Sequence, residues 1–150
     1  MTELEATEAI YAAAAAGVAA MSGPPTLMLE GERQKPTAGT AWIRLTIRDQ
    51  PTAKMTLGVP GQRRAERGGV LYAQCFAPIG AAAPIGAADG VEAALAMAHA
   101  FRALFEGTDI TAGTEPTAIN FTEADIRRVG IDGGWMQANA ECPFTFGELV

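Results

Sequence analysis

The chain has 150 residues, of which 49% are hydrophobic and 19% are charged. This length fits one domain with a sizeable core, because single domains usually run to about 100–200 residues. The net charge is −6 and the sequence pI is about 4.7, which disfavours a general nucleic-acid-binding domain, since such domains usually have a pI above about 9.

The first predicted element is an amphipathic helix of about five turns near the N-terminus. Thr2 and Glu5 have the spacing of a capping box at its start, and Pro24 lies just beyond its end. Its predicted apolar face comprises Leu4, Ile10, Tyr11, Ala14, Val18 and Met21. The apolar run at 9–21 is shorter than the ~20 residues of a bilayer span and follows acidic residues, so neither a membrane span nor an export signal is expected.

The next segments predict strands separated by loops. Residues 26–29 predict a short strand, and 30–40 predict a loop. Residues 41–48 alternate between apolar and polar side chains, which predicts a half-buried strand with Ile43, Leu45 and Ile47 on one face. A weaker strand is predicted at 53–59, a long, exposed and basic loop at 60–69, and a third strand at 70–76.

A tandem repeat precedes the second predicted helix. Residues 77–88 hold two copies of Ala-Pro-Ile-Gly-Ala-Ala, too few for a solenoid, which predicts an outward-facing loop. Asp89 and Glu92 then have capping-box spacing, and Gly107 is placed to end the helix. The predicted buried face of this helix comprises Val91, Leu95, Ala98, Phe101 or Arg102, and Phe105.

The last part of the chain predicts a set of strands. Strands are expected at 118–121 and 126–131, followed by a hairpin at Asp132-Gly133-Gly134 and a long final strand. Pro143 within that strand predicts an edge position or a bulge. The order of helix, strands, helix and strands predicts a single α+β domain over 1–150, with a largely antiparallel β-sheet and two main helices packed on one face.

The chain offers few of the residue patterns that catalytic or metal sites need. The single histidine, His99, has no serine, cysteine or carboxylate in a motif relation to it, so a surface or packed histidine is favoured over a general base. Cys75 and Cys142 are isolated and are interpreted as small apolar core residues in a reducing compartment. Asp125 and Asp132 fit solvated loop ends better than a cation site. We therefore expect no catalytic residue, metal or cofactor, and no enzyme.

The charge is distributed unevenly along the chain. Residues 1–30 carry −4, residues 31–70 carry +5 and residues 71–150 carry −7. The candidate contact residues are Trp42, Arg44, Arg48, Arg63, Arg64 and Arg67, and Lys54 completes the basic constellation.

Arginine suits carboxylates and phosphates and is enriched at protein interfaces, which favours a contact surface. Trp42 shares a strand face with Arg44 and Arg48, so it is a candidate exposed aromatic anchor. A capped edge tryptophan and a solvated basic loop are the alternatives. If the basic segment contacts the acidic flanks of a second copy, the contact is head-to-tail and repeats around a closed ring.

The order of these elements carries a family resemblance over nearly the whole chain. It rests on the N-terminal helix, on Trp42-Ile43-Arg44-Leu45-Thr46-Ile47, on Arg67-Gly68-Gly69-Val70-Leu71, and on Asp132-Gly133-Gly134-Trp135 before the final strand. This layout resembles the tail terminator, or tail completion, proteins of long-tailed bacteriophages and phage-like particles. The duplicated 77–88 loop is longer than the pattern of that family.

The resemblance implies a non-enzymatic virion protein that is made in the bacterial host cytoplasm. Such proteins form a homo-oligomeric ring, typically a hexamer, on the last ring of the tail tube protein, where they end tube polymerisation. They present a surface to the head-to-tail connector or stopper protein, and DNA passes through the lumen without sequence-specific binding. Two other hypotheses stay open. The chain is another neck, connector or tail tube subunit, or it is a small-molecule enzyme that uses His99.

Overall fold

A computed structural model describes residues 1–33, 37–79, 90–112 and 118–150, and for residues 52–54 it describes the backbone alone. Within these ranges the chain forms two helices and seven strands. They are α1 (Glu3–Ala19), β1 (Thr26–Met28), β2 (Trp42–Met55), β3 (Arg64–Pro78), α2 (Gly90–Phe105), β4 (Asp109–Thr111), β5 (Ala118–Phe121), β6 (Asp125–Asp132) and β7 (Trp135–Leu149). The predicted cap at Asp89 and most of the repeat at 77–88 lie outside the described residues.

The strands form one mixed and curled sheet. Its order is β1-β2-β3-β7-β5-β4, and β6 pairs with β7 as well. β1 runs parallel to β2, and the other pairings among the described strands are antiparallel. The predicted α+β class is confirmed. The finer prediction was a largely antiparallel sheet with helices on one face, and it is wrong. The sheet is mixed because β1 runs parallel to β2, and it is curled because long strands coil as they twist.

Helix α1 begins at the predicted capping box. The Thr2 hydroxyl accepts a hydrogen bond from the Glu5 backbone N–H at 3.2 Å, and the Glu5 carboxylate accepts one from the Thr2 N–H at 2.7 Å. The buried stripe of the helix is Ala6, Ile10, Ala14 and Val18. The prediction that Leu4 lies on this face is wrong: its side chain is 67% exposed. Leu4 is two residues from Ala6, which places it about 200° away around the helix axis.

Helix α2 packs on the sheet through a stripe of small and aromatic residues. Ala94, Ala98, Phe101 and Phe105 are buried, so the choice between Phe101 and Arg102 is settled in favour of the phenylalanine. Val91 and Leu95, which were predicted on the same face, are partly buried against the core. Gly107 follows the helix with a φ of 66°, the left-handed conformation expected of a glycine just after a helix end.

Strands β2 and β3 are longer than their sequence patterns indicate. The segment predicted as a separate strand at 53–59 begins as the end of β2, after a register shift between Gln50 and Lys54. The predicted basic loop at 60–69 is also wrong in part, because β3 already begins at Arg64. The β3 ladder to β7 starts at the Arg64–Leu149 pair, so pairing with a distant strand overrides the polar composition of this segment.

Pro143 lies in β7, which has pairing partners on both sides. The predicted edge position is therefore wrong, and the alternative of a bulge is not seen either, because the β3–β7 register is continuous through Pro143. The neighbouring strands show why a proline fits at this position. The β6 ladder begins at Glu141 and the β5 ladder begins at Phe144, so Pro143 lies opposite the break between β6 and β5. Its carbonyl accepts a hydrogen bond from the Thr122 N–H at 3.1 Å. Pro143 has no N–H to donate, and it lies between the end of the β6 ladder and the start of the β5 ladder, where no strand pair needs that donor.

One face of β2, β3 and β7, here called the core face, lines the buried core. It carries Ile43, Leu45, Leu71, Ala73, Ala138 and Ala140 among its fully buried residues. A row of aromatic rings joins the second helix to the sheet: the centroids of Phe101 and Phe105 are 5.1 Å apart, those of Phe105 and Phe121 4.8 Å, and those of Phe121 and Phe144 5.6 Å. Such ring pairs add to the stabilisation that burial alone supplies.

The two cysteines lie in this core. Both are buried and free, as expected for small apolar core residues. Burial, and then the neighbouring Cys142, raise the pKa of the Cys75 thiol to about 12, and burial raises the pKa of Cys142 to about 12. Neither thiol is therefore a nucleophile at neutral pH, because the reactive species is the thiolate.

These thiols predict a loss of stability in alkali. An unfolded cysteine has a pKa of about 8.5, so between about pH 9 and pH 12 the unfolded chain has lost protons that the folded chain keeps. The free energy of unfolding should then fall as the pH rises, by up to about 1.4 kcal/mol per pH unit for each thiol. Urea unfolding at several pH values checks this. The C75A/C142A variant should show a shallower fall, and equal slopes in the two proteins would contradict the prediction.

Candidate interaction surfaces

The turn between β2 and β3 exposes a group of large apolar side chains, here called the hairpin tip (residues 55–63). Met55 and Val59 are 57% and 58% exposed, and Leu57 is fully exposed. Single exposed apolar residues are normal on a protein surface, whereas three on one short turn form a patch that favours a contact site. The sequence predicted a weaker strand at 53–59 and a basic loop only from residue 60, so the three apolar residues were expected in a strand and not on an exposed turn.

The hairpin tip is held in place by backbone hydrogen bonds. The Thr56 N–H donates to the Arg64 carbonyl at 2.8 Å, and the Arg64 N–H donates to the Thr56 hydroxyl at 2.7 Å. The Val150 N–H donates to the Arg63 carbonyl at 2.8 Å, and the Val150 carbonyl accepts from the Gly61 N–H at 2.9 Å. Such pre-organisation lowers the entropic cost of binding a partner.

The three arginines of the predicted basic loop take different places. Arg63 donates from Nε to the Gly58 carbonyl within the hairpin tip. Arg64 is exposed and lines a surface depression of about 660 Å³ at the base of the hairpin, together with Met55, Glu66, Asn120 and Phe146. Arg67 forms an ion pair from Nε to Glu148 at 2.7 Å. Only Arg63 and Arg64 therefore flank the apolar tip directly.

The opposite side of the sheet from the core face, here called the outer face, carries the other predicted contact residues. Trp42 is only 5% exposed, so the prediction that it is an exposed anchor is wrong. Its ring stacks on Phe76 at a centroid distance of 4.0 Å and meets the edge of Trp135 at 6.2 Å. The guanidinium of Arg44 lies 5.3 Å from the Trp42 ring, which matches the capped-tryptophan alternative.

Arg44 and Arg48 border a polar depression on the outer face, here called the basin. It has a volume of about 590 Å³ and is lined by Glu30, Arg44, Thr46, Arg48, Tyr72, Gln74, Arg127, Asn139 and Glu141. Arg48 lies over the Tyr72 ring at 5.7 Å, and Arg127 pairs with Glu141 at 3.4 Å. The strand alternation that placed Arg44 and Arg48 on one face could not identify the residues of β3, β6 and β7, because those depend on the pairing register.

The six predicted contact residues thus divide among separate places. Trp42, Arg44 and Arg48 lie together on the outer face, Arg63 and Arg64 lie at the hairpin, and Arg67 bonds to Glu148. The side chain of Lys54 is outside the described part of the chain. Within the described ranges, the predicted contact residues therefore do not gather at one place.

The other candidates from the sequence do not come together into a site. His99 lies exposed on α2, and no group of three or more metal-ligating side chains occurs among the described residues. Asp125 and Asp132 stand at opposite ends of β6, roughly 23 Å apart at the rise of an extended strand. Among the helices of the described ranges, none is long and apolar enough to cross a membrane.

The chain matches no family model and no curated protein. Solved structures do match it. One of them, whose name describes no function, has a TM-score of 0.71 and 16% sequence identity, with 97% of this chain and 96% of that chain covered. At this level of identity the likeness shows the fold alone.

Proposed function

We propose that the protein is a ring-forming tail terminator of a long-tailed phage or phage-like particle. In this role it caps the head-proximal end of the tail tube, ends tube polymerisation and joins the tail to the head connector. DNA passes through its lumen without sequence-specific binding. The observation that carries the proposal is the ordered hairpin tip, which exposes Met55, Leu57 and Val59 beside Arg63 and Arg64.

The chemistry of this tip suits an assembly contact. Protein interfaces combine an apolar centre with a polar rim, and arginine is enriched in them. Here the apolar centre is Leu57 and its neighbours, and the two arginines provide the rim. The resemblance of the chain to tail terminators supplies the class of partner, which is the terminal ring of a tube.

Electron microscopy of tail tubes mixed with the protein tests the proposal. We expect a cap at one end of each tube and an arrest of further tube growth. Decoration along the whole tube, or no binding, would be incompatible with a terminator. Deletion of the gene separates this role from that of a connector stopper, since loss of a terminator leaves tails of uncontrolled length and loss of a stopper leaves leaking heads.

The Leu57→Asp variant is expected to lose tube capping without losing its fold. Placing a carboxylate at the centre of the apolar tip should weaken binding by about tenfold or more, because a buried, unpaired charge is costly at an interface. Its melting temperature should stay close to that of the wild type, because Leu57 is fully exposed in the single chain. The fraction of capped tubes measures the effect.

The matched control is Leu4→Asp, which makes the same change at an exposed leucine on α1. This variant should cap tubes as the wild type does. If Leu57→Asp also caps normally, the hairpin tip is not the contact.

A further inference from the structure

We propose that the basin on the outer face binds carboxylate side chains of a second copy of this chain. The proposal rests on the proposed function, in which copies assemble into a ring, and it identifies one contact between them. It involves a different surface from the hairpin tip. Its residues come from β2, β3, β6 and β7 and from Glu30, which follows β1.

Two of the three arginines that line the basin, Arg44 and Arg48, lie over aromatic rings. The Arg44 guanidinium lies 5.3 Å from the centroid of Trp42 and 5.9 Å from that of Phe76, and the Arg48 guanidinium lies 5.7 Å from that of Tyr72. Trp42 is itself stacked on Phe76, so the support of Arg44 is part of the packed sheet. A cation–π contact of this kind attracts a guanidinium to the ring and leaves its N–H groups free to donate.

Those donors have no acceptor within the described part of the chain. Neither Arg44 nor Arg48 forms a hydrogen bond or an ion pair there, whereas Arg127 in the same basin pairs with Glu141. Arg44 and Arg48 therefore lie over aromatic rings and have N–H donors without an acceptor among the described residues. This arrangement favours binding an external planar acceptor. A carboxylate fits the two-pronged edge of a guanidinium.

The remaining lining of the basin selects among anions. Thr46, Gln74 and Asn139 add uncharged polar groups, and Glu30 and Glu141 add negative charge. A nucleic-acid backbone, with phosphates at every step, meets repulsion from these two glutamates as well as from the net charge of −6. One or two carboxylates bring less negative charge into the basin than a run of phosphates does, and Arg44 and Arg48 can offset it.

The chain itself offers such carboxylates. Glu123 and Asp125, in and just after the connection from β5 to β6, are exposed and form no ion pair within the described ranges. They do not line the basin, although Asp125 pairs in register with the basin residue Glu141, so the two surfaces are neighbouring patches on one copy. A contact from the basin of one copy to the acidic residues of the next is heterologous when it repeats in one direction, and it closes into a ring when the rotation between copies allows it.

Sedimentation velocity of the R44Q/R48Q variant tests the basin. We expect the dissociation constant of self-association to rise by about tenfold or more, since two desolvated charge pairs are lost at each contact. The control R33Q/R128Q removes the same charge from two exposed arginines outside the basin and should stay within about twofold of the wild type. An unchanged R44Q/R48Q, or a wild-type chain that stays monomeric, overturns the proposal.

A charge swap tests the occupant. The R44E/R48E and E123R/D125R variants should each fail to assemble alone, and an equal mixture should assemble again, because alternating copies restore every pairing. Circular dichroism confirms that each variant is folded, and R44Q/R48Q remains as the milder change if a reversal unfolds the chain. A mixture that stays dissociated, or an R44Q/R48Q variant that loses only tube binding, shows that the occupant is not the acidic segment of a second copy.

The outcomes separate this inference from the proposed function. If the wild type caps tubes and R44Q/R48Q self-associates normally, the basin contact is wrong and the terminator role stands. If the wild type caps no tubes and the charge swap still restores assembly, the terminator role is wrong and the basin contact stands.

Discussion

Replacing Phe101 by alanine is expected to lower the free energy of unfolding by about 3–5 kcal/mol, because it removes a fully buried ring and leaves a cavity. Phe101 is the first ring in the row that runs through Phe105 and Phe121 into the sheet. Its loss therefore weakens the attachment of α2 as well as removing buried area. At about 2–4 °C per kcal/mol for a chain of this size, the melting temperature should fall by roughly 6–20 °C.

Urea unfolding followed by circular dichroism measures this change. The control is Leu4→Ala, which truncates an exposed side chain on the other helix and should shift the free energy of unfolding by no more than about 0.5 kcal/mol. A Phe101→Ala effect as small as that of the control would show that α2 is not anchored through this ring.

The second large effect is expected at Gly69, in the middle of the Arg-Gly-Gly-Val segment of β3. A Cβ atom added there would lie 2.7 Å from Cζ of Phe144 and 2.8 Å from the carbonyl oxygen of Arg48. The ring and the neighbouring strand both occupy the space that a side chain would need. Gly69→Ala should therefore destabilise the protein by about 1–3 kcal/mol or more, since a strand backbone cannot move aside as a flexible side chain can.

Gly134→Ala is the matched control for this substitution, because no heavy atom lies within 4 Å of the added Cβ. Thermal unfolding of both variants should show a clear fall for Gly69→Ala and a change of less than about 0.5 kcal/mol for Gly134→Ala. Equal melting temperatures for the two variants would mean that Phe144 repacks without cost.

The sequence predicted most reliably where the deciding interactions are local. The capping box at Thr2 and Glu5, the alternation around Ile43 and Leu45, and the glycine stop at Gly107 all involve residues within a few positions of each other. Each of these signals has a direct geometric meaning, so the structure reproduces it. The α+β class follows from the order of such elements.

The predictions failed where distant parts of the chain decide the outcome. The polar segment at 64–69 looks like a loop, yet it pairs with the end of β7 and becomes strand. Trp42 looks exposed beside two arginines, yet Phe76 and Trp135 cover its ring from other strands. In both cases the sequence shows the residue but not the partner, which lies more than 30 positions away.

The candidate surfaces show the same division. Arg44 and Arg48 could be placed on one face from alternation alone, whereas Tyr72, Gln74 and Asn139 join them only through the register of three strands. The apolar hairpin tip had a readable signal in Met55, Leu57 and Val59. These residues fell within the weaker strand predicted at 53–59, and the basic loop was predicted only from residue 60, so the sequence did not show that they lie on an exposed turn.

The position of β7 has a consequence for how the chain folds during synthesis. This strand is made last of the seven, yet it pairs with β3, β5 and β6. Until it leaves the ribosome, the edges of those three strands have no β7 partner, and long-range pairings of this kind form slowly. Folding of the sheet is thus completed only after almost all of these 150 residues have been made. During that interval the unpaired edges are the sites most exposed to aggregation.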